Sequence, residues 1–167
     1  LSLANTTYRI GEYRPPEFLV EAVAGTRSGF PGDTVSVQVE ARYLFGAPMA
    51  RAALSWSVRQ ATTGFWDLDI PDAAGYTFGE TGWWWEEDEG RTINQYLESG
   101  EDTLDLGGRS TIRFALAPPP KGRPALATVE VAVTDVNRQS VGAAATAMVH
   151  PAAFYLGAKP LGTTYFW

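Results

Sequence analysis

Polar and apolar residues alternate with a period of two along most of this chain. Val35, Val37, Val39, Ala41 and Tyr43 alternate with Ser36, Gln38, Glu40 and Arg42, the pattern of a strand with one buried and one wet face. Leu54, Trp56 and Val58 alternate with Ser55, Ser57 and Arg59, and Ile112, Phe114 and Leu116 alternate with Thr111, Arg113 and Ala115. Val129, Val131 and Val133 oppose Glu130, Ala132 and Thr134, and residues 143–149 make a weaker strand of small side chains. Phe18 to Val23 follows Pro15-Pro16, whose missing N–H groups suit the edge of a sheet.

Turn chemistry separates these runs: Pro31-Gly32-Asp33, Gly46-Ala47-Pro48, Leu106-Gly107-Gly108 and Asp135-Val136-Asn137. The best helical stretch, Ile93 to Leu97, is short. A parallel sheet would need crossover helices, so the pattern predicts an all-β fold, an antiparallel immunoglobulin- or fibronectin-III-like sandwich of about seven strands. Residues outside this unit look like chain passing between consecutive β-domains. Residues 1–14 read as the tail strand of a preceding domain or a linker, 15–152 as the sandwich, and 153–167 as the start of a following domain or linker. The chain opens with Leu1 and shows no basic-then-apolar leader, and it is expected to be a piece of something longer.

Composition narrows the chemistry. The 167 residues include no cysteine, which excludes a disulfide, a thiolate nucleophile, a cysteine zinc site and an internal thioester within this chain. The one histidine, His150, excludes a multi-histidine metal centre. No apolar run reaches the length of a membrane span. Net charge is −6, yet residues 80–105 hold nine acids against Arg91, a local balance of −8. The acidity thus belongs to one segment, and without a basic stripe the chain is not expected to bind nucleic acid.

Several motifs, in order along the chain, resemble the bacterial alpha-2-macroglobulins: residues 12–18 (Glu-Tyr-Arg-Pro-Pro-Glu-Phe), Pro31-Gly32-Asp33, residues 41–48, residues 134–139 and residues 149–157. The resemblance is weakest between residues 64 and 103. It implies a macroglobulin-like domain, one of a tandem series in a broad-spectrum protease-trapping inhibitor. In that family a protease cuts an exposed bait region, the molecule collapses around it, and a Cys–Gln thioester often captures it. The resemblance further implies an extracytoplasmic protein, periplasmic or at the cell envelope, with a lipoprotein or secreted parent. Its partners would be neighbouring macroglobulin-like domains, with proteases engaged only through the full-length protein. Bait and thioester have no counterpart here, so no catalytic residue, cofactor or metal ligand carries over and the chain is not expected to be an enzyme. What carries over is scaffold: Gly32 and Gly46 for turns, Tyr43 and Trp56 for the core, Asp135 and Asn137 for a turn.

Other features invite a second reading. Trp83-Trp84-Trp85-Glu86-Glu87-Asp88 lies in the acidic segment. Three consecutive tryptophans on a strand cannot all enter one core, so the stretch reads first as an elaborated interstrand loop that packs its aromatics on the sandwich edge. As a candidate interaction surface it would meet a neighbouring domain or serve as a stacking platform in a carbohydrate-binding or adhesive module. The segment reads as an acidic, Trp-rich insertion at about 64–108. Asp67, Asp69 and Asp72 offer oxygen ligands but lack the glycine and closing glutamate of a calcium loop. The many carboxylates single out no glycosidase pair, and His150, ahead of Pro151, reads as a strand-end residue rather than a base.

Overall fold

The alternating runs fold as strands in the computed structural model, which describes residues 17–65, 68, 70–78 and 92–161. In chain order these are β1 (Phe18–Ala24), β2 (Ser28–Gly29), β3 (Thr34–Tyr43), β4 (Ala53–Thr62), β5 (Thr77–Phe78), β6 (Asn94–Thr103), β7 (Arg109–Ala115), β8 (Ala125–Thr134), β9 (Ser140–Val149) and β10 (Gly157–Ala158). One sheet has the order β1-β3-β7 and the other β2-β9-β8-β4-β6. All pairings are antiparallel except the short β2 alongside β9. Setting aside the two-residue β2, three strands face four in the fibronectin-III-like arrangement. The remaining pair, β5 with β10, forms a separate ribbon.

The core is the set of inward positions that the alternation marks. Val35, Val37, Val39 and Ala41 of β3 meet Leu54 and Val58 of β4, Ile112 and Phe114 of β7, and Val129, Val131 and Val133 of β8, all buried. Tyr43 and Trp56 are half-buried and pack against this cluster. Fully burying one such side chain contributes about 1.5–3 kcal/mol. The exposed ion pairs Arg42–Glu21 (3.3 Å) and Arg109–Glu40 (3.2 Å) lie on the outer face, where each adds about 0–1 kcal/mol. Burial therefore dominates the stability of the sandwich.

One element departs from expectation. Ile93 to Leu97, the best helical stretch in the sequence, leads into the edge strand β6, paired along its length with β4. The register slips between Val58 opposite Glu98 and Arg59 opposite Tyr96, so Leu97 is the extra residue of a β-bulge. A bulge breaks the period of two and re-aims the side chains beyond it, which hides the strand in the sequence. Here a free edge of β4 outweighs weak local preference. Residues 94–108 accordingly belong to the sandwich, although the sequence assigned them to the insertion at about 64–108.

Strand register also defines the two ends of the sandwich. Ala53 at the start of β4 lies opposite both Thr103 and Thr134. The β3–β4, β6–β7 and β8–β9 connections therefore share one pole. The chain reaches β1 at that pole, where the Leu44 N–H donates to the Glu17 carbonyl at 2.9 Å and Phe18 pairs with Tyr43. At the opposite pole β9 ends and the chain continues through His150.

Candidate functional site

The first pole is built from two turns of the same design. Asp105 Oδ1 accepts from the N–H groups of Gly107 (2.8 Å) and Arg109 (2.9 Å). Asp135 Oδ1 accepts from those of Asn137 (2.9 Å) and Gln139 (2.8 Å). Each turn is closed by backbone bonds between the same positions: Gly108 N–H to Asp105 and Arg138 N–H to Asp135, both 3.1 Å, then Asp105 N–H to Arg109 and Asp135 N–H to Gln139, 2.8 and 2.9 Å. The fourth residue is left-handed in both, Gly108 at φ 75° and Arg138 at φ 64°. An aspartate that satisfies its own turn amides leaves the next residue at the tip. Leu106 and Val136 occupy those tips, 71% and 90% exposed.

The third connection at this pole carries Leu44 and Phe45, also exposed. The Phe45 ring stacks on Tyr43 with centroids 5.2 Å apart and planes within 7°. Gly46 then turns the chain at φ 95°. The sequence marks all three connections as turns, and Asp135 and Asn137 behave as expected of them. It does not mark the apolar tips as a group; the available signal is an apolar residue directly after the turn aspartate, in Asp105-Leu106 and again in Asp135-Val136.

At the opposite pole the chain leaving β9 folds back over an aromatic cluster. His150 Nδ1 lies 2.7 Å from the Tyr155 hydroxyl, and the Tyr155 ring meets Phe65 edge-on at 5.6 Å. Phe65 in turn stacks near Phe78, with centroids 6.3 Å apart. Lys159 Nζ lies over Tyr76 at 5.4 Å and donates to the Ala74 carbonyl. Burial pushes the Tyr155 hydroxyl up from the ordinary phenol range. The cluster ties residues 150–159 to Phe65 and residues 74–78, and β10 completes the tie by pairing with β5. His150 follows the last residue of β9, as expected, and its backbone N–H donates to Gly29 at 2.9 Å. Its side chain is also a fixed member of this cluster, which the sequence did not reveal.

Asp102 on β6 sits at the side of the sandwich, where its carboxylate accepts from the Ser110 hydroxyl on β7 and from the Thr103 N–H. The Ser110 hydroxyl first, and the Thr103 amide second, hold the Asp102 carboxyl below the usual aspartate range. His150 is at the far pole, so this Asp–Ser pair has no histidine to make a nucleophilic triad. Its role is to link the edge strands of the two sheets.

The remaining candidates are placed as follows. Trp83, Trp84, Trp85, Glu86, Glu87 and Asp88 lie outside the described residues, as do Asp67 and Asp69. Asp72 is exposed in a turn at φ 57°. Among the described residues no three His, Cys, Asp or Glu side chains are grouped to hold a metal ion, and no helix is long and apolar enough to cross a membrane.

Three comparisons place the chain. The family model for the bacterial alpha-2-macroglobulin MG5 domain matches residues 23–151. An alpha-2-macroglobulin homolog from Nostoc sp. is 29% identical over 155 residues, which cover 91% of this chain and 8% of the homolog. Among solved structures, the native conformation of Escherichia coli alpha-2-macroglobulin matches with a TM-score of 0.67 at 19% identity, covering 90% of this chain and 9% of that one. The same protein activated by porcine elastase matches with a TM-score of 0.68 at 19% identity, covering 89% and 12%. This chain thus spans about a tenth of its relatives' length. Its strand order and its match across residues 23–151 give one conclusion: it belongs to the bacterial alpha-2-macroglobulin MG5 domain family.

Proposed function

We propose that this chain is a scaffold module of a bacterial alpha-2-macroglobulin-like protease trap, and that it moves as a rigid body when the trap closes. The observation that carries the reading is its equal likeness to the native and the elastase-activated E. coli protein, TM-scores 0.67 and 0.68 over about the same share of this chain. A unit whose fold suits both states transmits motion between its neighbours without changing internally. The core of interdigitated valines is suited to that, because close-packed interiors deform little. In this reading the parent protein traps proteases outside the cytoplasm, in the periplasm or at the cell envelope. Bait and capture chemistry belong to other parts of it, and this domain has no catalytic role.

Distance measurements test the rigid-body role. Spin labels at Gln38 and Glu130, exposed on the outer faces of β3 and β8, should keep their separation when elastase cleaves the parent protein. A second pair, one label here and one on the adjoining domain, should shift. A changed Gln38–Glu130 distance would overturn the rigid-body role, and a parent whose mixture with elastase leaves the enzyme fully active on large substrates would overturn the trap.

A further inference from the structure

From the N-terminal pole we infer a second property: the tips of its three turns are a preformed docking surface for the β-domain that precedes this one in the same polypeptide. The inference rests on the tandem-module reading above and specifies which face makes the contact. Thr103 and Thr134 both lie opposite Ala53, so the Leu106 and Val136 turns rise one strand to either side of β4. The Leu106 turn then crosses to the facing sheet, where the Gly108 carbonyl accepts from the Ala41 N–H at 2.9 Å. The β3–β4 connection, with Leu44 and Phe45, starts from the facing sheet at the same pole. Four apolar side chains are therefore gathered at one end, each more than half exposed.

Two features distinguish this end from incidental exposure. First, the tips are held rigidly. The paired aspartate bonds fix both turns, and the stacked Tyr43 ring fixes Phe45. Little conformational freedom remains to be lost on contact, the condition under which a small apolar surface binds well. Second, the occupant is delivered covalently. Glu17, at the entry to β1, accepts from the Leu44 N–H at 2.9 Å, so a domain that precedes it in the polypeptide is tethered at this pole, at high effective concentration for these tips. The partner's matching face is apolar opposite Leu44, Phe45, Leu106 and Val136 and polar around them, where Arg51, Asp105 and Arg138 are exposed.

Hydroxyl-radical footprinting of the parent polypeptide reads this contact. Val23, 62% exposed on β1, is an internal standard for Val136 at 90%. With the tips free, Val136 oxidises faster than Val23. With the preceding domain docked, Val136 should oxidise about threefold or more slowly than Val23, and Leu106 and Phe45 should be protected with it. The paired substitution Leu106→Asn and Val136→Asn should expose Phe45 to oxidation while Phe114 in the core stays protected, which separates lost docking from unfolding. Val136 faster than Val23 in the intact parent would overturn the inference. So would protection that fades on dilution, which would identify a second copy as the occupant. A parent with no β-domain ahead of this one would instead remove the tandem-module reading beneath it.

Discussion

Trp56 on β4 lies directly over Gly100 on β6: the two are register partners, and a methyl at Gly100 would stand 2.7 Å from Trp56 Cζ2. The indole uses the space that any side chain on the edge strand would take. Through this contact β6, which has few apolar residues of its own, shares in the core.

Gly100→Ala should therefore destabilise the domain by about 1–3 kcal/mol, the usual range for overpacking. A smaller ring should relieve it. In a double-mutant cycle by chemical denaturation, Gly100→Ala should cost markedly less in a Trp56→Leu background. Equal costs in both backgrounds would show that the indole is not what excludes the methyl.

The twin turns predict effects of opposite sign at equivalent positions. Gly108 combines φ 75° with a hypothetical Cβ 2.5 Å from the Ala41 carbonyl oxygen, so Gly108→Ala adds a clash to a left-handed strain of about 1–2 kcal/mol. Arg138 already bears that strain, at φ 64°. Arg138→Gly should be neutral or stabilising by up to about 1 kcal/mol, after the entropy of the added glycine. Thermal unfolding of the two variants distinguishes these outcomes.

Asp102 predicts a contribution to stability at the acid end. Its carboxyl is depressed in the folded state, so its stabilisation is fully present above the unfolded value of about 3.9. That stabilisation is lost as pH falls through the lower folded value. Ser110→Ala should move the Asp102 titration, followed by NMR, back toward the ordinary range. An unmoved titration would place the cause in the Thr103 amide alone.

Tyr155→Phe keeps the ring contacts with Phe65 and removes the hydroxyl shared with His150. The expected cost is about 0.5–1.5 kcal/mol, confined to the fold-back of residues 150–159. Hydrogen exchange should accelerate at the β10–β5 ribbon and not in β3 or β8. His150→Ala should likewise leave the sandwich cooperatively folded. Loss of cooperative unfolding in either variant would mean that the fold-back supports the whole domain.

Legibility in the sequence followed the strength of local pattern. β3 and β8 alternate without interruption and are buried on one face along their whole length, so periodicity alone finds them. β6 carries Tyr96, Glu98, Glu101 and Asp102, with a bulge at Leu97. Nothing local marks it as a strand, because the bond partner that makes it one lies some forty residues earlier, in β4. The turns at residues 105–108 and 135–138 were legible from their residues, but their shared pole was not.

The sequence by itself determined the fold class, the inward-facing core of β3, β4, β7 and β8, the positions of the turns, and the absence of cysteine chemistry. Each of these depends on residues close together in the chain. Tertiary structure alone decided that β6 joins the sandwich, that Asp102 meets Ser110, that His150 meets Tyr155, and that Leu106 and Val136 emerge at the pole where the chain arrives. Those outcomes depend on strand register between distant segments, and register is fixed by the summed burial and hydrogen bonding of whole strands, not by the residues that it brings together.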